Sequence, residues 1–180
     1  MARRLTPVPG LPEAILTELK AVDQAYPLYG ALTVGAAEPA PRLASDELLA
    51  APALVERLGL RVGERLRYGN ADFRVAAIIA EEPDRVGEGF TLGPVAIVSS
   101  EGLRRTGLVQ PGSLFVAKYR LRLPASSDPE SIIDSLRERF PSSSWEFKDR
   151  DRAAPGASRF FERMGQFLGL IGLAALIIAG

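Results

Sequence analysis

Leu60 to Ala80 reads LRVGERLRYGNADFRVAAIIA. Leu66 and Tyr68 share one face of a first extended run, and Phe73, Val75 and Ala77 alternate inward on a second. Between them Gly69-Asn70-Ala71-Asp72 supplies residues that tolerate a chain reversal, so the stretch is predicted to fold as a β-hairpin. An isolated hairpin is marginal in water, so further strands must cover its apolar face.

The flanking sequence offers them in short pieces. Upstream, Pro52 to Leu58 reads as a helix with proline in its first turn, where the missing N–H costs nothing, and Gly59 ends it. Glu47 to Ala50 and Ala31 to Val34 are short strands, separated by the Pro39-Ala40-Pro41 loop, and Asp23 to Gly30 is a turn. Ile15 to Val22 is read as a strand, although Glu18 and Lys20 also suit a helix. Residues 1–13, rich in proline, form a loose lead-in. Downstream, Glu81 to Gly89 is a polar loop, Pro94 to Ser99 a strand, and Ser100 the cap of a short helix through Arg105. Short strands this close together imply a small β-barrel or sandwich.

The rest is organised differently. Leu114 to Leu123 alternates, with Phe115, Ala117, Tyr119, Leu121 and Leu123 in one register and Lys118, Arg120 and Arg122 in the other. Ser127 or Asp128 caps a helix from Pro129 to Phe140 whose apolar stripe is Ile132, Ile133, Leu136 and Phe140. Ser144 to Lys148 is a strand with Trp145 and Phe147 alternating. The order strand, amphipathic helix, strand is an α+β half-unit of ferredoxin-like type, so the fold class is α+β.

The chain ends in MGQFLGLIGLAALIIAG, Met164 to Gly180. As a helix this run is about 25 Å long, just under the ~30 Å hydrocarbon core of a bilayer. Met164, Phe167, Leu168, Leu170, Ile171, Leu173, Leu176, Ile177 and Ile178 are the residues expected to face lipid in a partial transmembrane helix. Arg159, Glu162, Arg163 and Gln166 lie on the wet side of the stalk that leads into it. Gly165 and Gly169 form a small-xxx-small pair. The competing reading is a C-terminal core helix.

Composition excludes several chemistries. The 22 basic and 22 acidic residues cancel, which gives no field for nucleic acid. Without Cys or His there is no thiol nucleophile, no disulfide, no imidazole-assisted triad and no Cys/His zinc site. The start, MARRLTPVPGLPEA, has no apolar core and is not a signal peptide. The acidic cluster Glu81, Glu82, Asp84 and Glu88 has the composition of a carboxylate pair or weak Ca²⁺ site but no calcium-loop spacing, so it reads as a solvated connection, with a carboxylate-dependent enzyme as the competing class. Gly87, Gly89 and Gly93 lack the Lys-Ser/Thr of a phosphate loop. Lys118, Arg120 and Arg122 suit anionic headgroups but read first as the wet side of a sheet, and Tyr26 and Tyr29 around Pro27 read as turn packing.

Several strings then fit together. AVDQAYPLYG (Ala21–Gly30), LVERLGLRVGERL (Leu54–Leu66), FRVAAIIAEEPDR (Phe73–Arg85) and TGLVQPGS (Thr106–Ser113), followed by RFFERMGQFLGLIGLAALIIAG, resemble the FtsX-like permease family of ABC transporters, in its YbbP-type branch. The resemblance implies a MacB-like periplasmic core, with a mixed α+β subdomain from residues 14–45 and 114–158 and an inserted small β-rich subdomain from 46–113. It makes residues 159–180 the stalk and start of a transmembrane helix. It implies an inner-membrane protein with this domain extracytoplasmic, partnered by the remaining permease helices, a separate cytoplasmic ABC ATPase subunit, membrane lipid and a second copy in the full transporter. It implies neither a cofactor nor catalysis in this polypeptide. An alternative role within the wider family is a membrane-anchored scaffold that activates a cell-envelope hydrolase. The family's first transmembrane helix and the β-α-β opening before Ala14 are missing, so the chain is expected to be a piece of a longer protein.

Overall fold

The elements, in chain order, are β1 (Ala2–Arg4), β2 (Ala14–Ile15), β3 (Glu18–Val22), β4 (Thr33–Val34), β5 (Glu38–Pro39), β6 (Glu47–Ala50), α1 (Pro52–Leu58), β7 (Arg65–Tyr68), β8 (Ala71–Glu81), β9 (Val95–Ser99), α2 (Ser100–Thr106) and α3 (Pro129–Arg139). They come from a computed structural model, which describes residues 1–83, 93–148 and 164. The chain divides into two units, Met1–Arg120 and Leu121–Gly180. The mixed α+β class holds.

In the first unit the predicted hairpin is present: β7 and β8 pair antiparallel, Leu66 opposite Phe73 and Tyr68 opposite Ala71, across Gly69-Asn70. The sheet runs β2-β1-β7-β8-β6-β9-β3. Its outer strands, β2 and β3, are two stretches of one segment, Ala14 to Val22, so the sheet curls until the same segment borders both ends. A barrel-like wall results, whose two edges are the short strands of that one segment.

The inner face of that wall is the core. Leu48, Leu66, Tyr68, Phe73, Val75 and Val98 are fully buried there, and α1 adds Leu54 and Leu58. The Tyr68 and Phe73 rings meet edge to face at 6.2 Å. A second apolar cluster lies outside the wall, where Leu32 and Val34 cover Leu49, Val95 and Ile97. Ala77 belongs to this outer cluster and not to the inner face predicted for it. The β6–β8 register gains a residue between Leu48↔Val75 and Leu49↔Ala77, and such a bulge turns the following side chains over.

The lead-in expected over residues 1–13 contains a strand: β1 pairs β2 on one side and β7 on the other, and Ala2 is fully buried. Arg4 is buried as well. Its guanidinium donates to the Leu58 and Gly59 carbonyls at 2.5 Å, satisfying the C-terminal end of α1. Gly59 has φ 57°, in the left-handed region that favours glycine, and packs against the Leu11 side chain. At α2 the cap is Ser99, one residue before the Ser100 expected. Ser99 is still extended, and its Oγ accepts the Gly102 N–H at 3.1 Å.

In the second unit, α3 starts at Asp128, whose carboxylate accepts the N–H groups of Glu130 and Ser131. Phe140, Trp145 and Phe147 stack in series, with centroids 5.0 and 6.2 Å apart. The strands expected at Leu114–Leu123 and Ser144–Lys148 are absent. A helix closes its own hydrogen bonds, whereas a strand needs a second strand, and among the described residues none pairs with either segment. β1, β2 and β3 share one sheet with β6 to β9. Among the described residues no helix is long and apolar enough to cross a membrane. Met164 is helical, and the other residues expected to span lie outside the described residues.

Candidate functional site

Strand β8 leaves the sheet at Glu81, and its next residue carries the least expected chemistry. Glu82 is not a solvated loop residue: it is buried. Its Oε1 accepts from Lys20 Nζ at 2.5 Å and from the Tyr26 hydroxyl at 3.2 Å. Lys20 comes from β3, donates to the Tyr26 hydroxyl at 3.3 Å and stands 4.9 Å from the centre of that ring. Three separate segments are thus held by one charge-assisted cluster. Beside it, Gly30 packs so closely that a Cβ would lie 2.7 Å from Pro83 Cβ.

The cluster borders a cleft of about 370 Å³ between the outer wall of the sheet and residues 22–43. Leu49 and Ile97 line it from the wall, and Val22, Tyr26, Pro27, Leu32 and Leu43 from the covering segment, with Asp23 and Arg42 also present. Such a surface holds an apolar group and offers no paired acid and base. A carboxylate that already accepts from an ammonium and a phenol is neutralised in place, so Glu82 serves as a tie. Glu81 ends β8 opposite Thr33, and Asp84 and Glu88 lie outside the described residues. Among the described residues no group of three His, Cys, Asp or Glu side chains is arranged to hold a metal ion.

The remaining residues singled out in the sequence are dispersed. Tyr29 is exposed and Tyr26 is part of the cluster. Lys118, Arg120 and Arg122 are exposed on a segment without ladder bonds. Gly93 sits where a Cβ would meet the Leu16 carbonyl at 2.4 Å, which is a packing role, while Gly87, Gly89, Gly165 and Gly169 lie outside the described residues. Inside the wall, burial pushes the Tyr68 phenol up to about 12, with the neighbouring Thr17 hydroxyl pulling slightly the other way. Neither oxygen has a hydrogen-bond partner of ordinary geometry. Arg67 grips Asp72 with two bonds, 2.6 and 2.9 Å, and holds that carboxyl below its ordinary range. Sequence reading missed both the Lys20–Tyr26–Glu82 tie and the arginines around Asp72. For the second, a signal existed in the Arg65-x-Arg67 alternation.

No family model matches the chain, and no solved structure matches it. Among curated proteins it is similar to an uncharacterized ABC transporter permease, YbbP, of Escherichia coli (strain K12). The two are 32% identical over 169 residues, which cover 91% of this chain. The chain spans about a fifth of that relative's length, 20%. The strings quoted above and this match agree, and the chain belongs to the ABC transporter permeases of that branch.

Proposed function

We propose that the chain forms an extracytoplasmic domain of an inner-membrane ABC transporter permease, and that it couples the cycle of a partner cytoplasmic ATPase to movement at the membrane. Residues 159–180 are the stalk and the start of a membrane span, with Met164, Phe167, Leu168, Leu170, Ile171, Leu173, Leu176, Ile177 and Ile178 toward lipid. The partners are the remaining permease helices, the ATPase subunit and a second copy of the permease. The domain itself is non-enzymatic, and ATP is hydrolysed on the partner subunit.

The observation that carries this reading is the relationship over 91% of the chain to an ABC transporter permease. The physical form suits the role. A barrel-like wall tied at Lys20–Tyr26–Glu82 moves as one body, so force delivered at one end reaches the other without being absorbed by the fold.

The absence of native Cys makes the topology directly testable. Tyr29 is exposed, so Tyr29→Cys in the full-length permease, with any cysteine outside residues 1–180 replaced by Ser, gives a single reporter. A membrane-impermeant maleimide should label it from the periplasmic side of intact inner membranes, and the permease purified with its ATPase should alter the ATPase rate. Labelling only after the inner membrane is opened refutes the location. An unchanged ATPase rate refutes the coupling.

A further inference from the structure

The outer side of the curled sheet carries more cations than it pairs. Arg3 on β1, Arg65 and Arg67 on β7, and Arg74 on β8 all point outward, while Ala2, Leu66, Tyr68 and Phe73 point in. The register sets Arg3 directly opposite Arg67, and Arg65 directly opposite Arg74. Both acids on this face are already engaged: Asp72 by the Arg67 fork, and Glu47 by Arg74. Among the described residues that leaves Arg3 and Arg65 with no hydrogen bond or ion pair, each across from a second guanidinium, and Arg65 reaches Asp72 only through its field. Like charges directly opposite on a sheet are destabilising. In a chain whose 22 basic and 22 acidic residues otherwise balance, the surplus is local.

We propose that this face docks on the anionic phosphodiester headgroups of the bilayer, with Arg3 and Arg65 as the principal contacts. Every cation in the row is arginine, whose planar fork matches a phosphate with two bonds. The ladder holds neighbouring forks at strand spacing, about 4.8 Å across strands and about 7 Å along one, so they are presented together without ordering flexible loops. The chain's relative is a membrane permease, so lipid headgroups are the phosphodiesters its surroundings supply. The proposal rests on that membrane location and is independent of coupling to an ATPase.

Flotation of the 180-residue chain with phosphatidylcholine vesicles, and with vesicles also containing phosphatidylglycerol, tests it. The terminal apolar run contributes equally to both, so the readout is the ratio of the two. Wild type should favour the anionic vesicles, and the preference should shrink with salt. Arg3→Gln and Arg65→Gln should each lower it about 5-fold, and together about 25-fold. Arg57→Gln, the same charge change on the exposed side of α1, should leave it unchanged. These variants remove like-charge contacts, so the fold is kept; an urea midpoint at or above wild type confirms this. A ratio unaffected by Arg3→Gln and Arg65→Gln overturns the proposal. So does lipid-independent binding of an acidic polypeptide such as polyglutamate that is lost in the same variants while the vesicle ratio stays put.

Discussion

Breaking the Lys20–Glu82 tie from its two ends should give unequal losses, because the two partners differ in access to water. The Glu82 side chain is 4% exposed and that of Lys20 is 17%. Lys20→Met leaves an ionised carboxylate buried with only the Tyr26 hydroxyl to answer it, and an uncompensated buried charge costs about 3–5 kcal/mol. Glu82→Gln leaves an ammonium that keeps its place over the Tyr26 ring and lifts toward solvent, a loss of about 1–3 kcal/mol. Replacing both, Lys20→Met with Glu82→Leu, removes the charges together with their desolvation and should fall within about 1 kcal/mol of wild type. The assay is urea unfolding followed by circular dichroism. With a slope of about 1–3 kcal/mol/M, the Lys20→Met loss moves the midpoint by at least about 1 M. The double variant should therefore unfold later than Lys20→Met alone. If the double variant unfolds no later than Lys20→Met alone, the residues do not share one buried tie and the reasoning fails.

Two further perturbations probe the inner core. Phe73 is fully buried and stacks on Tyr68, so Phe73→Ala should cost about 3–5 kcal/mol, a large part of the roughly 5–15 kcal/mol a domain possesses, and a urea midpoint within experimental error of wild type would contradict the inward register of β8. Tyr68 ionises near pH 10 when unfolded and at about 12 when folded, because burial disfavours the phenolate. Its contribution is fully present below pH 10 and is lost as pH climbs from 10 to 12, amounting to about 2–3 kcal/mol. Tyr68→Phe should flatten that alkaline decline, measured as the change in urea midpoint between pH 9 and 12, and an unchanged decline would place the phenol in water.

The elements that the sequence announces are those closed by local bonds. The hairpin around Gly69-Asn70, α1 between Pro52 and Gly59, and α3 after Asp128 each draw their signal from residues within one or two turns of one another. The misses share the opposite property. Arg3 lies opposite Arg67, so β1 shows no hydrophobic run of its own and its pairing depends on a strand more than sixty positions away. Glu82 looks like a loop carboxylate because its cation lies 62 positions earlier. Leu114–Leu123 has strong alternation and still forms no strand, since alternation describes which side faces a core and says nothing about who supplies the hydrogen bonds.

The same distinction explains why the arginine face was as hard to read as the tie. In sequence, Arg65-x-Arg67 and Arg74 are the wet sides of two strands, which is an adequate account of each strand taken singly. Register is what makes them unequal. Once Arg67 faces both Arg3 and Asp72, and Arg65 faces Arg74, two acids serve four guanidinium groups and two cations are left over. A surplus of that kind has no local remedy within the sheet, because any acid that would neutralise it must occupy a position the ladder has already given to arginine. The proposed docking on anionic headgroups supplies that balance from outside the face, and the flotation ratio of the Arg3→Gln and Arg65→Gln variants decides whether it does.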